Sequence, residues 1–350
     1  MDAHAVSHIF GYLFLHDAIQ LCYTSKQYYA LLPICFKYSF TTAHIDNAHA
    51  QHANHITGIV RLAQLHGCKQ VSKIQLDNRF CGVWSTADLV QYRITNIVIA
   101  RTSRFNSPLD LSSMLTLRNV FINAHFNNNL SLPNNLHTLR FSHDSRFDRT
   151  FEPPPGLRRV YFGAWYNQPF IAPLGLRVLQ ITEDSKFNQS IVFPDSLEEV
   201  YFGRAFNKPV HLTPNLRVIK FCRRSEFNAH FFGTAPHLEW LSLGSSYAGV
   251  LFPHMFPSVK KIRFAPACPF NNVLCLYGNV DIYLGRHFNS LIITGEGSTI
   301  MTPTHSRFRA EILYVEALHF TRPPCSLACA FLYSAAETVS PSYMMSLPHG

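Results

Sequence analysis

The sequence has few charged residues and lacks long apolar runs. Charged side chains make up 15% of the 350 residues, although the formal net charge is +9. No apolar stretch reaches the roughly 18 residues that a membrane-spanning helix needs, and the first residues lack the basic segment of a secretory signal. We therefore expect no membrane span and no export, and a location in the cytoplasm or nucleus.

The sequence also lacks the short motifs of the common enzyme and metal-site classes. None of its nine cysteines forms a Cys-x-x-Cys pair, which is typical of reduced thiols. A histidine cluster at 44, 49, 52 and 55 does not have metalloprotease spacing. No glycine-rich phosphate loop and no Gly-x-Ser-x-Gly elbow is present. We predict a chain that is not an enzyme, with no catalytic residue, no cofactor and no metal site.

What the sequence does contain is one pattern repeated many times. Each copy has apolar residues spaced as in Leu197, Val200 and Phe202, followed by an aromatic–Asn pair such as Phe206-Asn207. The period averages about 20 residues, which is typical of stacked repeat arrays. The asparagines of these pairs are Asn106, Asn127, Asn167, Asn188, Asn207, Asn228, Asn271 and Asn289.

The copies alternate between two forms. In the short form the aromatic follows the last strand position by four residues, as from Phe202 to Phe206, and in the long form by six, as from Phe221 to Phe227. The structural unit is therefore a pair of about 40 residues. We predict a strand for each copy, starting at Ile94, Leu117, Leu136, Leu157, Leu176, Leu197, Leu216, Leu238, Val259 and near Asn279.

The chemistry of each position follows from stacking the copies as coils of a parallel β-solenoid. The apolar residues point inward, and each Asn bonds backbone groups of its own turn and of the next coil, forming a buried ladder. Strand residues between the apolar ones point to the opposite face. Because aromatic and basic residues of this face often anchor interfaces, we predict target binding there. The residues proposed for it are Arg140, Arg159, Tyr161, Tyr201, Lys220, Trp240, Lys261 and Arg263.

The N-terminal segment from Val6 to Leu32 is different and resembles an F-box. Short helical patterns include Ile9-Phe10 and Leu13, an Asp17 that opens the next helix, and a Ser25-Lys26 centre. The resemblance implies that this segment binds a Skp-type adaptor of a cullin–RING (SCF) ubiquitin ligase. The residues that would fill or support the adaptor groove are Ile9, Phe10, Leu13, Ile19, Leu21 and Tyr28.

The repeats resemble FNIP repeats, which are related to leucine-rich repeats. Tyr166-Asn167-Gln168-Pro169-Phe170 and Phe206-Asn207-Lys208-Pro209-Val210 carry this resemblance. The combination is that of F-box and FNIP proteins, which occur in amoebae and in large DNA viruses that infect them. It implies a leucine-rich-repeat-like, β-rich solenoid over 71–310, after a helical F-box-like domain over 1–40 and a helical or irregular junction over 41–70. A cap and tail would occupy 311–350.

The first functional hypothesis is a substrate receptor of an SCF ligase, whose repeats bind an unidentified target, acidic or phosphorylated. If the source is viral, the host cytoplasm is the expected location. In the alternative, the box, which lacks the usual Leu-Pro opening, is vestigial and the array is a free-standing interaction scaffold or decoy. The weaker third hypothesis is nucleic-acid binding by the basic and aromatic face.

Overall fold

The computed structural model describes residues 42–46, 55–66, 68, 71–80, 84–87, 89, 91–270, 274–276, 280–283, 290–293, 298–301, 311–312 and 318–320. Two compact units divide the chain between Tyr166 and Asn167. Both are parallel β-solenoids in which successive short strands pair in register. None of the helices within the described ranges has the length and apolar character needed to cross a bilayer.

Unit 1, which ends at Tyr166, contains one main parallel sheet and one minor strand pair. The main sheet has the order β1-β2-β3-β4-β6-β8-β9, and β5 pairs with β7. A 3-10 helix, Leu62–Leu65, follows β2. The strands are β1 (Thr42–His44), β2 (His55–Ile59), β3 (Lys73–Leu76), β4 (Asn96–Ile99), β5 (Leu109–Asp110), β6 (Asn119–Ile122), β7 (Leu130–Ser131), β8 (Thr138–Phe141) and β9 (Arg159–Phe162).

Unit 2, which begins at Asn167, repeats this plan. Its main sheet has the order β10-β11-β13-β15-β16-β18-β20-β22, with minor sheets β12-β14 and β17-β19-β21. A 3-10 helix, Pro253–Met255, follows β15. The strands are β10 (Val178–Ile181), β11 (Glu199–Phe202), β12 (Val210–His211), β13 (Val218–Phe221), β14 (Phe231–Phe232), β15 (Trp240–Leu243), β16 (Lys261–Phe264), β17 (Leu274–Leu276), β18 (Asp281–Tyr283), β19 (Ser290–Ile293), β20 (Ser298–Met301), β21 (Glu311–Ile312) and β22 (Leu318–Phe320).

Parallel pairing begins earlier than the sequence predicted. Strands β1 and β2 pair with each other, and β2 pairs with β3. The interpretation of residues 41–70 as a helical or irregular junction is therefore wrong for these two strands. Ile56 and Ile59 of β2 are fully buried, so this coil contributes to the core although it lacks the aromatic–Asn signature.

The strand starts also differ from the prediction, by two residues. The leading leucine of each coil is buried but lies in a turn, because its backbone N–H donates to the carbonyl three residues earlier, as Leu197 does to Pro194 at 3.0 Å. The strand begins two residues later, at Glu199. The leucine thus fills the core from the turn, while the next two apolar positions fill it from the strand, as predicted.

The aromatic of each coil stacks on the aromatic of the next, within each unit. In unit 1 the ring centroids of Phe126 and Phe147 are 5.8 Å apart with an interplanar angle of 15°. In unit 2 Phe227 and Tyr247 are 5.7 Å apart and nearly parallel, at 3°. These rings are at most 1% exposed. Their burial is a large apolar contribution to the core, with an added gain from ring geometry of about 0.5–1.5 kcal/mol per pair.

The two alternating coil forms lock together through a serine and a glycine. In the long form a buried serine two residues before the aromatic accepts the aromatic's N–H, as Ser185 does from Phe187 at 3.1 Å. In the short form the residue directly after the strand is a glycine at 163, 203 and 244, whereas buried Asn123 takes this place after β6. A Cβ on Gly203 would overlap the carbonyl oxygen of Thr182 and lie 2.9 Å from the Ser185 Cβ. At these glycines the long turn of one coil lies directly against a residue of the next coil that has no side chain.

Candidate interaction surface

The outward face of the main sheets is built from the first and third residues of the four-residue strands. We call these the first-position and third-position columns. In unit 2 the register pairs Glu199, Val218, Trp240 and Lys261 in the first column, strand by strand. The same register pairs Tyr201, Lys220, Ser242 and Arg263 in the third. Adjacent strands lie about 4.8 Å apart. The prediction that the strand residues between the apolar ones point to the face opposite the core is confirmed.

The closest basic and aromatic contacts on this face form a cluster in unit 2. The Nζ of Lys220 lies 3.2 Å from the ring centroid of Trp240, and the Nζ of Lys261 lies 4.5 Å from the same centroid. Lys220 also lies 5.2 Å from the ring of Tyr201, and Lys261 lies 5.0 Å from that of Tyr283. We call Lys220, Trp240 and Lys261 the basic–aromatic cluster. Each cation–π contact contributes about 0.5–2 kcal/mol, depending on how far it is shielded from water.

The electrostatics of the cluster are dominated by the two ammonium groups. Burial lowers the pKa of Lys220, while Glu199 opposes that shift and Lys261 adds to it. Glu199 accepts a hydrogen bond from the Tyr201 hydroxyl at 2.8 Å, which orients its carboxylate. The aromatic rings thus hold two like charges near one indole. An acidic group arriving from solvent would relieve their repulsion.

The indole N–H of Trp240 is a further unsatisfied feature of the cluster. Its Nε1 is buried and has no hydrogen-bond partner within the described part of the chain. A buried donor without an acceptor costs about 1–3 kcal/mol.

A smaller set of contacts lies on the same columns in unit 1. The guanidinium carbon of Arg140 lies 5.3 Å from the Tyr161 ring and 5.9 Å from the Phe121 ring. Arg140 and Arg159 are both exposed. Arg140 therefore lies between two rings in the third-position column, and Arg159 extends the positive charge into the first-position column.

The eight residues predicted for target binding all lie on the outward strand face, but in two groups. Arg140, Arg159 and Tyr161 belong to unit 1, and the other five belong to unit 2. Arg263 is exposed at the third position of β16, where Ser242 rather than an aromatic residue precedes it in the column. The structure thus places all eight residues on the outward strand face, as the periodicity predicted. That they bind a target stays a prediction.

The asparagine ladder forms, but it is not buried. The Oδ1 of Asn207 accepts the backbone N–H of Asn228 at 2.9 Å, and that of Asn106 accepts the N–H of Asn127 at 2.7 Å. The same bond links Asn167 to Asn188, Asn188 to Asn207, Asn127 to Asp148 and Asn228 to Ala248. Asn106, Asn207 and Asn228 are exposed and the other three are half-buried. The prediction of a buried ladder is wrong because the turn that needs these acceptors lies at the edge of the coil.

The sequence analysis missed a third line of residues, those immediately before each strand. We call it the pre-strand column. In unit 2 it reads Arg177, Glu198, Arg217, Glu239 and Lys260, and it lines an open groove of about 760 Å³. Arg217 contacts Glu239 at 2.7 Å, Arg177 contacts Glu198 at 3.4 Å, and Lys260 lies 3.9 Å from Glu239. The alternation of sign at a spacing of about 20 residues was visible in the sequence and would have identified it.

Several predicted residues lie outside the described part of the chain. These are the six predicted adaptor contacts, Ile9, Phe10, Leu13, Ile19, Leu21 and Tyr28, together with Asn271 and Asn289. Among the described residues, no group of three or more His, Cys, Asp or Glu side chains is arranged to hold a metal ion.

Comparisons with known proteins find similarity among solved structures. No protein-family model matches the sequence, and no curated protein matches it. Among solved structures, the chain is similar to CroV588, described as a novel circular LRR protein. The sequence identity is 18% and the TM-score 0.35, over 75% of this chain and 50% of that one. The chain therefore spans half the length of this neighbour, and the F-box and FNIP resemblances stay predictions.

Proposed function

We propose that this chain is a non-catalytic protein-interaction scaffold that binds an acidic segment of a target protein on its outward strand face. The observation that carries the proposal is the basic–aromatic cluster, in which Lys220 and Lys261 both lie against the Trp240 ring. A repeat solenoid presents such a face as a continuous surface, and aromatic side chains with nearby cations are frequent anchors of interfaces.

The cluster favours a peptide over a nucleic acid as the partner. Nucleic-acid binding by an aromatic face requires rings that are free to stack on bases. In the cluster, Trp240 already has an ammonium group at 3.2 Å from its ring centroid, and Tyr201 has the same ammonium at 5.2 Å. Carboxylates of a peptide would instead pair with the ammonium groups and leave the cation–π contacts in place.

Two adjacent lysines offer a matched test of this proposal. Lys261 lies over the Trp240 ring, whereas Lys260 points to the groove and lies 3.9 Å from Glu239. The probe is a labelled hexaglutamate peptide, and the readout is fluorescence anisotropy with the full chain. Because Lys261→Ala and Lys260→Ala remove the same charge, we expect Lys261→Ala to weaken binding by about 1 kcal/mol or more and Lys260→Ala to have a much smaller effect.

Two results would contradict the proposal. Equal loss in both variants would mean that the peptide responds only to net charge. Binding of a single-stranded oligonucleotide tighter than that of the peptide, with a steep loss of affinity on adding salt, would favour the nucleic-acid hypothesis.

We further propose that the scaffold is a substrate receptor of an SCF ubiquitin ligase, located in the cytoplasm or nucleus. The support for this is the resemblance of residues 6–32 to an F-box. The receptor would perform no chemistry itself, but would hold the target close to a charged conjugating enzyme.

The adaptor test is co-purification of the full chain with a Skp-type adaptor. Ile9→Asp and Leu13→Asp would each place a charge in the predicted adaptor contact, so both should abolish co-purification, while Lys261→Ala should retain it. If the folded wild-type chain does not bind the adaptor, the ligase proposal fails and the free-standing scaffold or decoy remains.

A further inference from the structure

The pre-strand column has a different charge pattern in each unit. In both units its members are placed by the same backbone bonds, because the carbonyl of each member accepts two N–H groups of the next coil. Thus the Arg217 carbonyl accepts from Glu239 at 2.8 Å and from Trp240 at 3.1 Å. In unit 2 the alternating signs of the column neutralise one another across adjacent coils.

In unit 1 the equivalent residues on three consecutive coils are Arg118, His137 and Arg158. The His137 N–H donates to the Arg118 carbonyl at 2.8 Å, and the Arg158 N–H donates to the His137 carbonyl at 2.9 Å. No acidic residue takes the place that Glu198 and Glu239 hold in unit 2. In the described part of the chain, neither His137 nor Arg158 has an ion-pair partner, and the Arg118 guanidinium donates only to the Asn135 carbonyl, at 2.7 Å.

The uncompensated charge extends beyond these three residues. Arg159 is the neighbour of Arg158 at the start of β9, and Arg140 lies two residues into β8; both are exposed. Strands are about 4.8 Å apart, so the column covers about 10 Å, and like charges facing one another on adjacent strands are destabilising. The pKa of His137 is lowered, first by its partial burial and then by Arg118 and Arg158 on the two adjacent coils.

We propose that Arg118, His137 and Arg158 form a binding site for the phosphate group of a phosphorylated peptide segment. This rests on the proposed function in that the peptide belongs to the target protein, and it adds a second contact apart from the basic–aromatic cluster. A phosphate monoester carries a charge of about −1.5 to −2 and three acceptor oxygens, enough to accept hydrogen bonds from side chains on three coils at once. Guanidinium groups bind phosphate through paired hydrogen bonds, and an imidazole between two of them supplies a further donor.

The dimensions of the site favour one phosphate on a peptide over a polynucleotide. The column is three coils long, whereas a nucleic acid needs a track of several phosphates with rings for stacking. The rings of Phe121 and Tyr161, on the strands that follow Arg118 and Arg158, already face the Arg140 guanidinium at 5.9 and 5.3 Å. A single dianionic group therefore fits the charge of the site better than a repeating backbone does.

The test measures binding of a labelled phosphoserine peptide, acetyl-Gly-Ala-pSer-Ala-Gly-amide, to the full chain. The test variant is His137→Gln with Arg158→Gln, because neither native side chain makes a polar contact with another described residue. The matched control is Arg177→Gln with Arg217→Gln, which changes the same column in unit 2. We expect affinity to fall roughly tenfold or more in the test variant and less than twofold in the control, since an ion pair to phosphate is a strong charge-assisted contact.

Two further readouts separate a built site from general attraction. Binding of the phosphopeptide should raise the pKa of the labelled His137 imidazole, followed by NMR, and the unphosphorylated peptide should leave it unchanged. Arg158→Lys should give an intermediate affinity, because it retains the charge and loses the paired hydrogen bonds. Urea midpoints of all variants report whether the fold is intact.

The outcomes distinguish this inference from the proposed function. If hexaglutamate still binds in a Lys261-dependent manner and the phosphopeptide does not bind, the inference fails and the scaffold proposal stands. Equal losses in test and control variants would overturn the site as non-specific attraction. If an oligonucleotide binds more tightly than the phosphopeptide and loses affinity in the test variant, the phosphopeptide is not the ligand of this site.

Discussion

Replacing Gly203 by alanine tests whether the alternation of coil forms depends on the contact between serine and glycine. A Cβ at this position would lie less than 3.0 Å from the Thr182 carbonyl oxygen and 2.9 Å from the Ser185 Cβ. The nearest atom belongs to the backbone, so no side-chain rotation can relieve the overlap. The backbone at Gly203 would therefore have to move away from the neighbouring coil until this contact is relieved.

The cost of that movement can be worked out from the bonds it affects. Arg204 N–H donates to the Glu183 carbonyl at 2.7 Å and Ala205 N–H to the Ser185 carbonyl at 3.3 Å. Losing both costs about 1 kcal/mol each, and overpacking of a dense core adds about 1–3 kcal/mol. We therefore expect Gly203→Ala to lower the free energy of unfolding by about 3–5 kcal/mol.

The assay is urea unfolding followed by far-UV circular dichroism, with Gly233→Ala as the control. Gly233 has φ of +81°, but a Cβ there would lie 3.3 Å from its nearest atom. Its substitution should cost only the left-handed conformation, about 1–2 kcal/mol. If Gly203→Ala costs no more than this control, or if Ser185→Ala restores its stability fully, the close backbone approach does not determine the alternation.

Three smaller predictions concern other parts of the fold. Asn207→Ala should cost about 1 kcal/mol in urea unfolding, because it removes the acceptor of the Asn228 N–H, and Asn207→Asp should recover most of that loss. Burial raises the pKa of Cys268 to about 11. Because the thiolate is the reactive form, iodoacetamide at pH 8 should alkylate Cys268 roughly 100-fold more slowly in the folded chain than in the urea-unfolded chain. Peptide mass spectrometry measures both rates, and equal rates would contradict the prediction. The Arg101 guanidinium lowers the pKa of Asp144 to about 2. The stability lost in Asp144→Asn, less than about 1 kcal/mol for this exposed pair, should be fully present above pH 4 and decline as the pH falls through 2. A stability gap that is undiminished at pH 2 would contradict the assignment.

Much of the fold could be predicted from periodicity, and the exceptions have local causes. Residues at one position of the repeat form one column. The columns that contain Tyr201 and Trp240 could therefore be predicted directly from the spacing. Strand β2 was missed because its coil has buried isoleucines but no aromatic–Asn pair. The asparagine ladder was predicted to be buried, but its members are exposed or half-buried. Spacing shows that an asparagine equivalent to Asn207 recurs in many coils, but it does not show how far the turn lies from solvent.

The sequence by itself determined which residues of this protein are equivalent: the repeat, its alternation, the stacked aromatics and the outward columns. It determined them because each coil repeats the backbone conformation of its neighbour, so a fixed spacing becomes a fixed position. Only the tertiary structure decided which equivalent residues touch, since a contact requires the strand register and the reach of each side chain. Lys220 thus lies on Trp240, diagonal to it, while Arg217 lies against Glu239, and among the described residues Arg158 has no such partner.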